Sequence, residues 1–209
     1  IRQLQERLGV SAEEAAQIAR RMFFNIGRGL FDVLYTPALT PEKLARWVTI
    51  ENPQYTVKAR RKGGGIVLFS AHFGNWEWTA ARLAQAGLPM TAVVETQPEA
   101  GFEQLLNEYR MLGGLTPFAR GNALVAAMKA LKNGKVLGFL ADQDAKDKGI
   151  FVDFFGRPSS TPHGPAVFAL RCGVPVVPAF IVRHPQRGHR IILSPPLYAT
   201  PGADPEAEI

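Results

Sequence analysis

The sequence predicts an α/β fold, with a mostly parallel central sheet covered by helices on both faces and amphipathic helices at the amino end. Two observations lead there. Short, nearly continuous apolar runs, among them IVLFS at 66–70 and VLGFL at 136–140, alternate with longer segments of helical period. Strands that are apolar on both sides belong to parallel sheets buried on both faces. A chain of 209 residues, 46% of them hydrophobic, suffices for one large domain and is too apolar for disorder. The expected layout is a single domain over 1–209, with a helical part over about 1–55 and an α/β core over about 56–209.

Ser11 and Glu14 have the capping-box spacing, so a helix opens there. Its apolar positions recur from Ala15 to Leu34, with Arg20, Arg21 and Arg28 elsewhere on the surface. Such a helix either packs on the core or lays its aromatic end on a lipid interface. Thr40, Pro41 and Glu42 signal a second helix, expected to run to about Ile50. The cationic stretch KARRKGGG then reads as a solvated loop. Beyond it the pattern predicts a strand over 66–70, a helix over 76–86 and a strand over 90–95. A helix over 99–112, a short extended piece over 115–118 and a helix over 122–132 come next. The series closes with a strand over 136–140, a helix over 162–172, a strand over 174–182 broken by Pro175 and Pro178, and a last strand over 190–193.

One cysteine, Cys172, excludes a disulfide framework and reads as a small buried hydrophobe. Lys and Arg outnumber Asp and Glu by 24 to 18, with a pI near 9.7, which points to anionic partners without choosing among nucleic acid, acidic protein and phospholipid. No apolar run has the length of a spanning helix and no signal peptide is visible. The chain starts at Ile1 without methionine and ends in DPEAEI, and is expected to be an excerpt lacking an amino-terminal anchor and a carboxyl-terminal segment.

The first strand leads into SAHFGNWEW. His72 falls just past the carboxyl end of that strand, where open α/β sheets collect functional residues. Asn75 is suited to cap the next helix, which places Glu77 in the first turn, where the helix dipole favours a carboxylate. A turn at Gly74 would let Glu77 accept from one imidazole nitrogen and leave the other free. That pair is a general base with its orienting carboxylate, able to take a proton from a substrate hydroxyl. The same spacing also fits a core histidine beside an ordinary helix-start carboxylate. Trp76 and Trp78 either line a groove or fill the core. Asp142 and Asp144, one residue apart after a strand, are a possible Mg²⁺ pair, although Lys146 and Lys148 offer nearer counter-charges. Arg157, in FFGRPSSTPHG, sits among hydroxyls and amides suited to phosphate or carbohydrate. His163, His184 and His189 have no ligand-spaced partner and read as structural or exposed.

HFGNWE resembles the His-x4-Asp/Glu signature of the lysophospholipid and glycerol-phosphate acyltransferases. NIGRGLFDVL, FLADQDAKDKGIFVDFFGRPSSTPHGPAVFAL and GVPVVPAFIVR narrow the resemblance, over 25–183, to the HtrB-like lipid A biosynthesis acyltransferases. The resemblance implies a glycerol-phosphate acyltransferase-like fold and transfer of a fatty acyl chain from an acyl carrier protein or coenzyme A thioester to a glycolipid hydroxyl, most simply on a lipid A precursor. It implies His72 as base and Glu77 as its partner. Arg110, or less well Arg120, matches the family's arginine, and Asp142 its later acidic residue, expected to position a neighbouring arginine or the acceptor. Asn75 and Arg157 are further expected contacts. The implied partners are acyl carrier protein, the acceptor glycolipid and a membrane surface at the cytoplasmic face of the bacterial inner membrane. No nucleic acid, metal or cofactor is implied. Glu stands where Asp is the commoner residue at the sixth position of the motif. Related enzymes acylate phosphatidylinositol mannosides, so that acceptor stays open. Rival readings are a non-catalytic module that binds anionic lipid or carrier protein, and a metal-dependent sugar transferase using Asp142 and Asp144.

Overall fold

A computed structural model describes residues 1–60, 64–119, 123–186 and 188–199. The chain opens with α1 (Arg2–Leu8), α2 (Ala12–Leu34) and α3 (Pro41–Trp47), then β1 (Val48–Glu51) and α4 (Gln54–Arg60). The alternating part runs β2 (Ile66–Ser70), α5 (Trp76–Gln85), β3 (Met90–Val94), α6 (Ala100–Leu112), β4 (Thr116–Ala119), α7 (Ala123–Lys132) and β5 (Val136–Leu140). A hairpin of β6 (Ile150–Asp153) and β7 (Pro158–Thr161) follows, then α8 (Gly164–Cys172), β8 (Val176–Arg183) and β9 (His189–Leu193).

Seven strands form one sheet in the order β1-β9-β8-β2-β5-β3-β4. The run β8-β2-β5-β3-β4 is parallel. At the other edge β9 lies antiparallel to β8, with β1 parallel to β9, so the sheet is mostly parallel as expected. Its two faces are buried separately. Ile66, Leu68 and Val136 pack with Trp78, Ala81 and Leu83 of α5 on one side. Val67 and Leu137 pack with Ala127 and Leu131 of α7 and Phe168 of α8 on the other. Each fully buried side chain of this kind stabilises the fold by roughly 1.5–3 kcal/mol relative to exposure. The double coverage explains why the strands read as unbroken apolar runs rather than as alternating ones.

Several expectations about the amino-terminal part are corrected. The helix expected to reach Ile50 ends at Trp47, because Val48 turns to extended backbone and the β-branched run Val48, Thr49, Ile50 adds a strand beside β9. The cationic stretch begins inside helix α4 at Lys58 and Arg60, while Arg61 and Lys62 lie outside the described residues. The hairpin β6–β7 occupies a segment with no predicted strand.

Helix α2 opens with the predicted capping box: the Ser11 hydroxyl accepts from the Glu14 amide at 3.2 Å and the Glu14 carboxylate accepts from the Ser11 amide at 2.9 Å. It does not pack its apolar face on the core, the simpler of the two expectations. Ala15 is its one buried residue, and Met22, Phe23, Phe24, Ile26, Leu30, Phe31 and Leu34 face outward. Contact with the rest of the molecule comes from the opposite side, through an ion pair between Asp32 and Arg183 and near Gly29, where an added Cβ would reach ordinary contact with the Gly74 carbonyl. Among the described residues no helix is long and apolar enough to cross a membrane.

Candidate active site

Strands β2 and β5 pair with Ser70 opposite Leu140. The residues two positions further along, His72 and Asp142, therefore leave the carboxyl edge of the sheet side by side. The Asp142 carboxylate accepts from the His72 backbone amide at 2.9 Å and lies 2.8 Å from the imidazole Nδ1. A carboxylate is an acceptor, so Nδ1 carries the hydrogen and Nε2 presents its lone pair. Nε2 has no hydrogen-bond partner among the described residues, and the side chain is about one-third exposed at 32%. Trp76, the first residue of α5, meets the imidazole edge-on at 5.0 Å, so the amino end of that helix lies at the ring.

The expected pairing of His72 with Glu77 is thus corrected. Glu77, in the first turn of α5, reaches across to α6 and takes Arg110 bidentately, with Nε at 3.1 Å from Oε2 and Nη2 at 2.7 Å from Oε1. Arg110 also donates from Nη1 to Asn107 at 3.2 Å. This pair is mostly enclosed, at 17% and 13% side-chain exposure, in a pocket that Val33 and Thr36 help to line. Of the two roles expected for Asp142, the positioning of a neighbouring arginine is corrected: its oxygens engage His72. Asp144 does not join it, since its carboxylate accepts from the Lys146 amide at 2.8 Å.

Asn75 caps α5 as expected, accepting from the Trp78 amide at 3.1 Å. Gly74 is required where it stands. Its φ of 61° is left-handed, and a Cβ there would run into the carbonyl of Ile181 in β8. The turn it makes separates His72 from Glu77 and sends them to different partners. Trp76 and Trp78 part in the same way: Trp76 flanks the imidazole, while Trp78 is buried and donates from Nε1 to the Thr36 hydroxyl at 3.1 Å. Arg157 stands on the β6–β7 hairpin with Nη1 4.0 Å from Glu6 of α1. Arg120 lies outside the described residues.

One cluster has no counterpart in the sequence reading. Asp32 of α2 pairs with Arg183 at the end of β8, and Nε2 of the buried His189 lies 3.7 Å from the same carboxylate. Among the described residues neither ring nitrogen of His189 has a hydrogen-bond partner, and the ring meets Trp78 edge-on at 5.5 Å. Burial, reinforced by the Arg183 and Arg28 charges and opposed by Asp32, pushes its pKa down to about 4. No spacing signal exposes a pair 151 residues apart.

A carboxylate-held imidazole at the carboxyl edge of a mostly parallel α/β sheet, with its second nitrogen open, has the parts of a general base. The chain belongs to the bacterial lipid A biosynthesis acyltransferase family, whose model matches residues 4–208. It is similar to a phosphatidylinositol mannoside acyltransferase of Mycobacterium tuberculosis (strain ATCC 25618 / H37Rv), with 30% identity over 158 residues, covering 73% of this chain and 50% of that protein. The corresponding protein of Mycolicibacterium smegmatis is 27% identical over 146 residues, covering 68% of this chain and 48% of its own length. A lipid A biosynthesis palmitoleoyltransferase of Escherichia coli (strain K12) is 24% identical over 200 residues, covering 94% of this chain and 65% of that protein. The chain therefore spans about half to two thirds of the length of these curated relatives.

Proposed function

We propose that the protein is a membrane-associated O-acyltransferase that moves a fatty acyl chain from an acyl carrier protein or coenzyme A thioester to a hydroxyl of a glycolipid. The observation that carries this reading is the His72–Asp142 pair, with Nε2 unpartnered among the described residues and beside the amino end of α5. The acceptor hydroxyl gives its proton to Nε2 as its oxygen attacks the thioester carbonyl, forming the new C–O bond. Asp142 accepts from Nδ1 throughout, fixing the tautomer and stabilising the imidazolium. The tetrahedral intermediate collapses with cleavage of the C–S bond, and the Nε2 proton passes to the departing thiolate. The positive end of the α5 dipole favours the oxyanion. The Glu77–Arg110 pair joins α5 to α6 and holds the loop that carries His72, a positioning role. Asn75 supports the same loop, and Arg157 and Arg120 remain candidates for contacts with the anionic parts of donor or acceptor.

The outward apolar face of α2, flanked by Arg20, Arg21 and Arg28, supports a membrane surface as the working environment. The lipid A precursor and the phosphatidylinositol mannoside are the two acceptors of interest, and the higher identity to the mannoside acyltransferases favours the second. The test is incubation with isotope-labelled acyl carrier protein and coenzyme A thioesters and each acceptor, the product being identified by mass spectrometry. Transfer by the wild type, lost in His72→Ala and insensitive to a chelator, supports the reading. Absence of transfer with every pair would leave a binding module, and loss of activity on chelation would leave the metal-dependent alternative.

A further inference from the structure

We infer that the β6–β7 hairpin is a membrane-insertion wedge, whose Phe151, Phe154 and Phe155 enter the boundary between lipid headgroups and acyl chains. The inference rests on the reading of the molecule as one that works at a lipid surface. The hairpin is a two-stranded ribbon outside the main sheet, pairing Phe151 with Ser160 and Asp153 with Pro158. A ribbon of two strands is marginal in water unless one face is covered. Here Phe151 on one face and Val152 on the other are both exposed, as are Phe154 and Phe155 at the tip, at 62% and 60%. The two tip rings meet edge-on at 4.7 Å, forming one apolar knob, and among the described residues neither belongs to a core cluster.

Phe155 also has φ 54°, a left-handed conformation unusual for a bulky residue, although glycine follows at 156. Water-exposed phenylalanine in a strained turn gains nothing for the fold, so its benefit lies in what covers it. Charge separates a bilayer from an acidic protein partner. The cations of this segment, Lys146, Lys148 and Arg157, are matched by Asp144, Asp147 and Asp153, so the knob stands on a neutral base. Two of those carboxylates cap backbone amides of the turns, Asp144 that of Lys146 and Asp153 that of Gly156. A neutral aromatic tip suits the interface of any bilayer and lacks the cationic ring an acidic carrier protein would select. The wedge also adjoins the first helices, since Arg157 reaches Glu6 of α1. It therefore supplies a second point of membrane contact beside α2, and two points fix the tilt of the molecule where one does not.

The two points differ in physics, which makes them separable. Vesicle partition is measured without donor or acceptor, for the wild type, Phe154→Ser/Phe155→Ser and an α2 variant, Phe23→Ser/Ile26→Ser. Uncharged phosphatidylcholine vesicles in ~1 M salt, where the screening length is about 3 Å, isolate apolar insertion. The hairpin variant is expected to partition more weakly by on the order of tenfold or more under those conditions, with an unchanged melting temperature. A probe on Phe155→Cys, in a Cys172→Ser background, is expected to be quenched by brominated acyl chains. Equal partition of hairpin variant and wild type, or an unquenched probe on vesicle-bound protein, overturns the wedge and leaves the acyltransferase reading standing. Failure of the wild type to bind either neutral or anionic vesicles overturns the wedge and the membrane surface together, while thioester transfer to a detergent-dispersed acceptor still reports on His72.

Discussion

Two carboxylates near one histidine divide the labour by where their backbones point. Asp142 continues a strand paired to the one that carries His72, so its oxygens reach both the amide and the ring. Glu77 has already turned onto α5 and faces α6, where Arg110 neutralises it. The two substitutions are therefore expected to separate. Asp142→Asn leaves the melting temperature nearly unchanged and lowers acyl transfer by a factor on the order of 10³–10⁴, the scale seen when an orienting carboxylate is lost from a histidine base. Glu77→Gln leaves the mostly enclosed Arg110 without its counter-charge and destabilises the fold by roughly 1–3 kcal/mol in urea unfolding, with transfer reduced through the displaced loop. His189 makes a pH prediction of the opposite kind to a salt-bridged acid. Its folded pKa, about 4, lies below the ordinary 6.5, so on acidification the unfolded chain binds the proton first. Stability contributed by the neutral ring is full above pH ~6.5 and is lost as pH falls toward ~4, on the order of 3 kcal/mol in all. Urea titrations across that window are expected to show the slope in the wild type and a smaller one in His189→Gln.

At the level of elements, α2 behaves as an arm laid on the molecule by its polar side. The pair Asp32–Arg183 ties it to the end of β8, and at Gly29 an added Cβ would come into ordinary contact with the Gly74 carbonyl in the loop that presents His72. The triple exchange Phe23→Ser/Ile26→Ser/Leu30→Ser is expected to shift stability by no more than about 0.5 kcal/mol per site, as exposed positions do, whereas a core-facing helix loses roughly 2–5 kcal/mol per large apolar residue removed. Thermal melts decide between them. Gly74→Ala carries a heavier load from one methyl group, because both the left-handed φ and the Ile181 carbonyl oppose it. A loss of roughly 2–4 kcal/mol, together with transfer falling in parallel, is expected. Unchanged activity in a destabilised Gly74→Ala variant would detach the loop geometry from catalysis.

For the molecule as a whole, the formal charge of +6 and the cations of α2 make encounter with anionic lipid dependent on salt. Partition of the wild type onto vesicles containing phosphatidylglycerol is expected to weaken steeply from low salt to ~1 M, down to the level set by apolar insertion. Much of this architecture was legible in the chain. The strands at 66–70, 90–94 and 136–140 and the helices between them follow from period and capping, because a parallel sheet covered on both faces imposes an unbroken apolar signal on each strand. The edge strand β1 was not, since it is short and defined by a partner far along the chain, and neither was the β6–β7 hairpin, whose strands are short and too exposed to carry an alternating apolar pattern.

The candidate base itself was visible for a local reason. Histidine two residues past a buried strand, before glycine and a capping asparagine, is a pattern that neighbouring residues write by themselves. Its partner was not, because the identity of the carboxylate at Nδ1 depends on register between β2 and β5, and register is set by long-range packing of two strands seventy residues apart. Amphipathicity carried the same limit: the period of α2 showed that one face is apolar, but which face meets the protein and which meets its surroundings is a property of the assembled surface, where Asp32 and Gly29, rather than the phenylalanines, find a place to dock.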